Sequence, residues 1–509
     1  MPRFNERTLA AGLPTGNEAT PQATPGTAPA PQPPPHPRAT LALTSAATAV
    51  ALMTYTAPMV TLPQTAAALH TPLSAQAWLL NGTPLGLAAL LLVAGALADD
   101  YGRRRIFVAG TLALGITTAL GALTTTTWLF TLARIAQGAA SAALLASSLG
   151  LIAHAFPNPR GRLHATGVWG AFVSGGIAVG PILTGAIPNW RVSYGVLGAA
   201  ALIVAGLSAR TLPRSEPRSE PRSHGRSRGD SDENSDENSH GNSHGTREAS
   251  VRGGRPDLAG AITFGLALVA LVAALTLGRD GWLRAPVGLL LLAAVALLGL
   301  FVVVERRTAK PMIDLTLLRH RRFLASSSGG LFTGLAVIGL FSFLPALLQQ
   351  TLGLSAMDTA WLFLLWSGLS FAVALQARRL SGRLSPRLQL ALGFVLHAGG
   401  ALAMLGALDA GSWPRLLPGL LVAGVGSGLL NAALPLLAVE SVPAQRAAMG
   451  SGAQQTFRYI GSSAGVALTI ALATSTSGGL AHGADIAMAV SAGLALLAAV
   501  SVVVLRERG

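Results

Sequence analysis

Cysteine is absent from this sequence, and charged residues make up only 11% of its 509 positions. The absence of cysteine excludes disulfide bonds and thiolate metal sites. Water-soluble proteins carry about a quarter charged residues, so a chain that is 51% hydrophobic and so sparsely charged is not an ordinary soluble protein. The motif GxxxxGK followed by Ser or Thr is also absent. Any nucleotide-driven activity would therefore need a partner chain that supplies the nucleotide-binding domain.

The hydrophobic residues are grouped in blocks of roughly 20, the length that an α-helix needs to cross the hydrocarbon core of a lipid bilayer. Alanine, leucine, valine and glycine dominate these blocks, which suits closely packed helices rather than barrel strands. The sequence therefore predicts an all-α polytopic membrane protein with fourteen transmembrane helices. They lie near residues 39–62, 78–98, 106–125, 129–154, 165–187, 193–212, 257–278, 285–304, 323–351, 357–377, 388–408, 414–438, 448–474 and 484–505.

Two polar stretches interrupt this pattern. Residues 1–38 are rich in proline, and residues 213–256 are a low-complexity linker with almost no apolar residue. Neither can form a core, so both are predicted to be disordered. They divide the chain into an N-terminal six-helix bundle (39–212), two extra helices with a charged loop (257–322) and a C-terminal six-helix bundle (323–509). The linker histidines lack other ligands at a fixed spacing, so no metal or cofactor is predicted.

The net charge of +15 is unevenly distributed over the predicted loops. With an even number of helices both termini lie on one side, and the loops on that side hold nearly all the arginines. The positive-inside rule makes that side cytoplasmic. The charge is thus assigned to membrane orientation and not to a nucleic-acid partner. A single lysine, Lys310, among 36 basic residues is typical of a GC-rich bacterium, and a multi-pass protein of the bacterial inner membrane is expected.

The loop after predicted helix 2 reads GALADDYGRRR. Its glycines would permit close helix approach and a turn, and its aspartate can pair with an arginine or cap a helix. Such a loop can act as a conformational latch that stabilises one arrangement of the helices. The simpler interpretation is a positive-inside anchor with a solvated acid. The latch residues would be Gly95, Asp99, Gly102, Arg103, Arg104 and Arg105.

Rare polar residues occur inside two other helices. Arg134 and Gln137 lie in helix 4, and an arginine inside a membrane helix normally faces a polar cavity or a partner. Alternatively, Arg134 extends to the outer interface near Trp128. His397, central in helix 11, can carry a proton near neutral pH or serve as a hydrogen-bonded structural residue.

Helix 5 contains GGIAVGPILTG, in which small residues recur every fourth position around a proline. Proline removes a helical hydrogen bond and bends the helix, while the small residues allow a neighbouring helix to pack closely. The residues of this predicted kink are Gly176, Gly180, Pro181 and Gly185.

Together these motifs resemble the major facilitator superfamily, and within it the fourteen-helix drug:proton antiporters, over about residues 40–505. In this family the loop between helices 2 and 3 has a fixed pattern: a glycine, any residue, a leucine, a small residue, an aspartate, a basic residue, any residue, a second glycine and then basic residues. In this sequence Gly95, Leu97, Asp99 and the residues from Gly102 onward match that pattern. The resemblance implies the major facilitator fold, a role in proton coupling for Arg134, and export rather than import from the helix 5 motif.

Two positions depart from the family pattern. Asp100 stands where a basic residue is usual, and Thr54 stands where helix 1 commonly carries an aspartate. No acidic residue lies at mid-membrane in the predicted helices, so a neutral or anionic, largely apolar substrate is favoured. Asp99 and His397 are the competing proton carriers. The predicted substrate-cavity residues are Thr54, Tyr55, Asn431, Gln454, Gln455 and Arg458, and Phe341, Phe343, Trp361 and Trp366 are aromatic candidates for the cavity or for helix packing.

The expected function is secondary active export of small, mostly apolar compounds in exchange for protons by alternating access, carried out by a monomer without enzymatic activity. Two alternatives remain open. The same cycle can export one dedicated metabolite or lipid, or the protein can be a transport-inactive membrane sensor or scaffold, which the missing helix 1 acid and the lengthy linker would suit.

Overall fold

The computed structural model describes residues 37–212, 258–278, 284–308, 320–380, 384–441, 447–474 and 476–504, and these contain helices and turns but no strand. The all-α prediction is confirmed, and the described residues form fourteen long helical segments, as predicted. In chain order they are α1 Pro37–Ala68, α2 Gln76–Tyr101, α3 Arg103–Ala122, α4 Thr127–Ala155, α5 Pro159–Ala186, α6 Trp190–Thr211, α7 Leu258–Gly278, α8 Ala285–Arg307, α9 Arg321–Leu352, α10 Ala356–Leu380, α11 Pro386–Ala403, α12 Leu416–Glu440, α13 Ala447–Thr474 and α14 Gly479–Val504.

Ten helices of the described chain are long and apolar enough to cross a membrane. Of the predicted disordered stretches, 1–38 and 213–256, residues 1–36 and 213–256 lie outside the described residues, while Pro37 and Arg38 belong to α1. Helix α1 begins at Pro37 and continues to Ala68, which extends the predicted helix past Leu62. Proline at position 63 did not end the helix, since a proline within a helix can be accommodated by a bend.

Local sequence signals explain several helix ends. The side chain of Thr126 accepts a hydrogen bond from the Leu129 amide at the start of α4, and Ser385 caps α11 in the same way. Gly353 ends α9 with a φ of +64°, and Gly102 separates α2 from α3 with a φ of +98°. Positive φ values of this kind cost glycine little, so these turns require it.

Helices α1 to α6 pack against one another, and α9 to α14 form a second group. The two groups meet where α2 contacts α13, where α5 contacts α10 and where α1 contacts α9. Helices α7 and α8 pack as a pair, and α7 lies against both α2 and α13. The extra pair therefore covers one junction between the groups.

Contacts within each group are close because glycine removes side-chain bulk. A Cβ atom added at Gly138 of α4 would collide with the backbone of Gly86 and Thr83 of α2, and one at Gly461 of α13 would collide with the backbone of Leu331 of α9. Backbone atoms cannot move aside as a flexible side chain can, so these pairs of helices hold a fixed spacing.

We predict that Gly138→Leu lowers the thermal unfolding temperature of the purified protein in detergent, whereas Gly206→Leu does not. A side chain at Gly138 meets backbone, while one at Gly206 of α6 meets no atom within 4 Å. Overpacking typically costs ~1–3 kcal/mol. Equal melting temperatures for the two variants would contradict the tight contact between α2 and α4.

Candidate functional site

A buried arginine contacts α1 at the turn before Pro58, where a proline is expected to bend the helix. Pro58 has no backbone N–H, so the carbonyl oxygen of Thr54, four residues earlier, loses its partner within the helix. Arg134 of α4 takes its place, because Nη1 donates to the Thr54 oxygen at 2.7 Å and Nη2 donates to the Tyr55 oxygen at 3.3 Å. The Arg134 side chain is 0% exposed, so it does not extend to the interface beside Trp128, which is itself exposed.

Gln137 extends this contact to a third helix. Its Oε1 atom accepts a hydrogen bond from Arg134 Nη1 at 2.8 Å, and its Nε2 atom donates to the carbonyl oxygen of Thr117 on α3 at 3.3 Å. The guanidinium also lies over the ring of Tyr194 on α6, 5.9 Å from the centroid. Arg134 thus links α1, α3, α4 and α6.

The charge of Arg134 has no carboxylate partner within the described ranges. Its acceptors there are two backbone carbonyls and one side-chain amide, and its Nε atom is buried without a hydrogen bond. A buried cation that is compensated only by dipoles is costly. The arrangement is therefore sensitive to any change in the packing of α1.

A cavity lies between the two groups of helices, at the middle of the spans. It has a volume of about 60 Å³, which is room for a few water molecules at ~10–15 Å³ each. Its lining residues come from six helices: Tyr55, Thr56 and Met59 of α1, Ser174 and Ile177 of α5, Ile338, Phe341 and Ser342 of α9, Phe363, Trp366, Ser367, Ser370 and Phe371 of α10, Asn431 of α12 and Arg458 of α13.

A chain of polar contacts runs along one side of this cavity. Arg458 Nη2 donates to Asn431 Oδ1 at 3.2 Å, and Asn431 Nδ2 donates to Ser370 Oγ at 3.3 Å. The hydroxyl of Tyr55 lies 3.2 Å from Ser462 Oγ, and its ring meets that of Tyr459 edge to face. Tyr55 therefore connects the first group of helices to α13 of the second.

Aromatic rings form another side of the cavity. Phe341 stacks on Trp366 with ring centroids 4.1 Å apart and planes 8° apart, and Phe363 meets Trp366 edge to face. The indole Nε1 of Trp366 donates to Ser427 Oγ at 3.1 Å, which fixes the ring. The wall is thus apolar, and its Trp366 ring is held in place.

The predicted cavity residues fall into two sets. Tyr55, Asn431 and Arg458 line the cavity, whereas Thr54, Gln454 and Gln455 are not among its lining residues. The hydroxyl of Thr54 instead bonds the Val50 oxygen in its own helix. Gln454 packs against Gly330 of α9. Among the aromatic candidates, Trp361 is 55% exposed on the outer surface and Phe343 is buried in helix packing, so neither lines the cavity.

His397 is buried one layer behind the cavity. Its Nε2 atom lies 3.0 Å from Ser491 Oγ, and that hydroxyl donates to the Ala336 carbonyl oxygen at 3.0 Å. Because the serine has one proton and gives it to Ala336, the imidazole must donate from Nε2. Its Nδ1 atom is then an acceptor, and it is buried without a hydrogen-bond partner in the described part of the chain. The ring contacts Phe341, which lines the cavity.

The carbonyl that receives this contact belongs to a distorted turn of α9. Residues Thr333–Ile338 form a π-helical segment within an otherwise α-helical span. Such segments are rare and often mark functional positions. The cavity residues Ile338 and Phe341 lie at its end or in the turn after it. His397 is therefore linked through Ser491 to the part of α9 that carries the cavity wall.

The predicted latch is only partly as expected. Arg103 Nη1 donates to the Gly150 carbonyl oxygen of α4 at 2.9 Å, and Arg104 Nη2 donates to the Ala209 carbonyl oxygen of α6. Both contacts place a cation near the C-terminal end of a helix, where the macrodipole favours it. Arg105 is exposed, and the side chain of Asp99 lies outside the described residues.

Gly95 corrects the expectation of close helix approach in this loop. Within the part of the chain that the structure describes, a Cβ atom added there would meet nothing within 4 Å. Of the two glycines, only Gly102 has a predicted role, because the turn between α2 and α3 has a positive φ at this residue. The spacing of the two glycines could not distinguish a packing role from a turn.

The glycines of helix 5 divide between two neighbours. Added Cβ atoms at Gly176 and Gly180 would collide with α1 at Ala49 and Met53, and one at Gly185 would lie against the Ala356 carbonyl of α10. Pro181 lies inside α5. The motif thus packs α5 on its own group along most of its length and on the other group at its end.

Sequence reasoning missed the partners of the polar residues. It did not identify Ser370, Ser462 or Ser491, because serine is common in membrane helices and these three carry no local signal. It also did not identify Pro58 as the cause of the free Thr54 carbonyl. That signal was present, since a proline always removes the partner of the carbonyl four residues earlier in a helix.

Comparisons with known proteins agree with this architecture. The family model described as Major Facilitator Superfamily matches residues 44–466. The chain is 31% identical over 449 residues to the puromycin resistance protein pur8 of Streptomyces alboniger, covering 83% of this chain and 82% of that one. It is 30% identical over 402 residues to the multidrug resistance protein Stp of Mycobacterium tuberculosis, covering 77% and 67%.

The fold also resembles a solved transporter structure. A bacterial homologue of the human lysosomal transporter Spinster, in an inward-facing and unoccupied conformation, aligns with a TM-score of 0.61 at 15% identity and covers 93% of this chain and 99% of that one. With the helical architecture and the family match over residues 44–466, this shows that the chain is a multi-pass membrane protein and belongs to the major facilitator superfamily.

Proposed function

We propose that this protein exports small, mostly apolar compounds across the bacterial inner membrane in exchange for protons. The observation that carries the proposal is the central cavity, which residues of both helix groups line and which combines an aromatic wall with a few polar side chains. The relatives named for puromycin resistance and multidrug resistance support export of antibiotic-sized compounds.

Alternating access requires that the two groups close the cavity on one side at a time. We propose that contacts between the groups close it at the end opposite the arginine-rich turn of α2 and α3. There Gln349 Nε2 of α9 donates to the Val60 carbonyl oxygen of α1 at 2.9 Å, and Gly185 lies against Ala356. By the positive-inside rule the closed end faces away from the cytoplasm.

The cavity of about 60 Å³ is too small for a drug-sized compound. Substrate entry therefore needs the two groups to move apart further on the cytoplasmic side. The contacts between groups that would break in the opposite state include the hydrogen bond of Gln349, worth about 0.5–1.5 kcal/mol, and the packing of α5 on α10. The free energy of substrate and proton binding can drive a rearrangement of this kind.

Proton coupling is assigned to Arg134, Gln137 and His397. Arg134 holds the bend of α1 beside Tyr55, so protonation or solvation changes near this guanidinium would move a cavity residue. His397 offers an unoccupied buried Nδ1 acceptor one layer from the cavity. One proton driven by ~100 mV supplies ~2.3 kcal/mol and one pH unit adds ~1.4 kcal/mol. Together they can sustain a gradient of a few hundredfold for a neutral substrate.

The alternatives differ in their observable consequences. A dedicated exporter of one metabolite or lipid would use the same cavity and cycle but respond to one compound class only. A transport-inactive sensor or scaffold would bind without moving substrate. We propose that the protein works as a monomer.

We expect Pro188→Cys to react with a membrane-impermeant maleimide in intact cells, and Pro157→Cys to react only after the cells are permeabilised. The chain has no native cysteine, so each label reports one site. Pro157 lies in the exposed connection of α4 and α5, on the arginine-rich side, and Pro188 lies in the connection of α5 and α6. The reverse labelling pattern would show that the assigned orientation is wrong.

Replacing Arg134 by Gln is expected to reduce substrate-dependent proton uptake in proteoliposomes by at least about tenfold. The change removes hydrogen bonds from a charged donor, worth ~1.5–3 kcal/mol each, that hold the bend of α1. Arg134→Lys should restore only part of the activity, because one ammonium cannot span the same three acceptors. Arg415→Gln, in the exposed turn before α12, is the matched control and should transport normally. Full coupling in Arg134→Gln would remove this residue from the mechanism.

His397→Asn separates proton carriage from a structural role. An asparagine amide can still donate to Ser491, but it cannot take up a proton near neutral pH. If His397 carries the proton, the variant keeps its thermal stability and binds substrate, yet proton-driven export falls to the level of passive leakage. Retained export with an unchanged pH profile would leave His397 as a structural residue.

A further inference from the structure

We propose that the central cavity selects planar aromatic compounds that carry an acidic group, and that Arg458 binds this carboxylate or phenolate. This inference rests on the proposed function in that it concerns the same cavity. It goes further by naming the charge and shape of the ligand and the residue that recognises it.

The charge of the cavity has one sign. Among the described residues that line the cavity, Arg458 is the only ionised side chain and none is Asp or Glu. A protonated amine would therefore enter a site that holds a like charge and no carboxylate to compensate it. An acidic group would instead meet an opposite charge in surroundings where water is scarce and the attraction is poorly screened.

Arg458 has donors that the protein does not use. Its Nη2 atom donates to Asn431 at 3.2 Å, and its Nε atom is buried without a hydrogen bond in the described part of the chain. Its partner Asn431 is neutral. The Arg458 side chain is partly buried, and a guanidinium prefers the two-oxygen geometry of a carboxylate. The unused donors are what a bound anion would satisfy.

Arg458 is linked by hydrogen bonds to α10, the helix that carries Trp366 of the aromatic wall. Asn431 accepts from Arg458 and donates to Ser370 of α10 at 3.3 Å. Trp366, which stacks on Phe341, lies one helical turn before Ser370. A flat ring system that stacks against this wall can thus place an acidic substituent toward the guanidinium. The rings alone would also attract a cation, so the sign of the preference tests the role of Arg458.

The test uses three fluorescent ligands of the same shape, namely 9-anthracenecarboxylate, 9-anthracenemethanol and 9-(aminomethyl)anthracene, binding to the purified full-length protein in nanodiscs. Wild-type protein should bind the carboxylate at least about tenfold more tightly than the amine, with the alcohol between them. Arg458→Gln should remove the preference for the carboxylate and leave the affinity for the alcohol within about threefold. Arg458→Lys should keep part of the preference, and Arg415→Gln, outside the cavity, should keep all of it.

A second variant covers the case in which Arg458→Gln does not fold. Asn431→Asp is isosteric and places a carboxylate on the hydrogen-bond partner of Arg458, so it should weaken binding of the carboxylate ligand and strengthen binding of the amine. If wild-type protein binds the amine as tightly as the carboxylate, or if Arg458→Gln weakens all three ligands equally, the inference is overturned. Because the readout is equilibrium binding, a protein that shows the preference but exports nothing would refute the proposed function and leave this inference standing.

Discussion

The contact between Arg134 and the carbonyl oxygen of Thr54 is the constraint on which the centre of the molecule depends. Pro58 leaves this carbonyl without a helical partner, and the membrane offers it no water. Arg134 has the complementary need, since its charge is buried and no described residue offers it a carboxylate partner. Each group compensates the other, and their contact fixes α4 against the bend of α1.

The bend also sets the position of the cavity. Tyr55 follows Thr54 directly, and its side chain reaches α13 of the second group of helices. From there the contacts of Arg458, Asn431 and Ser370 continue around the cavity. A change at Arg134 therefore alters the residue that joins the two groups. The sites proposed for proton coupling and for substrate binding are connected through one residue.

The contacts within each group of helices differ from the contacts between the two groups. Within each group, pairs such as Gly138 with Thr83 and Gly461 with Leu331 bring backbone against backbone, which leaves no room for adjustment. Between the groups, the contacts of Gln349 and Tyr55 are single hydrogen bonds. Two rigid groups that pack on each other through helix faces and single hydrogen bonds are suited to move as bodies about a central cavity.

The amino-acid sequence by itself determined the helical segments, because a membrane helix satisfies its own backbone and its signal is a local run of apolar residues. It also marked Arg134, His397 and Arg458 as exceptional, since polar residues are rare in such runs. Only the tertiary structure decided which of them meet. Arg134 bonds residues about 80 positions away and Tyr55 bonds one 407 positions away. Gln454 and Trp361 are as polar or as aromatic as the cavity residues, yet they point elsewhere, because the rotation of each helix depends on its neighbours and not on local sequence.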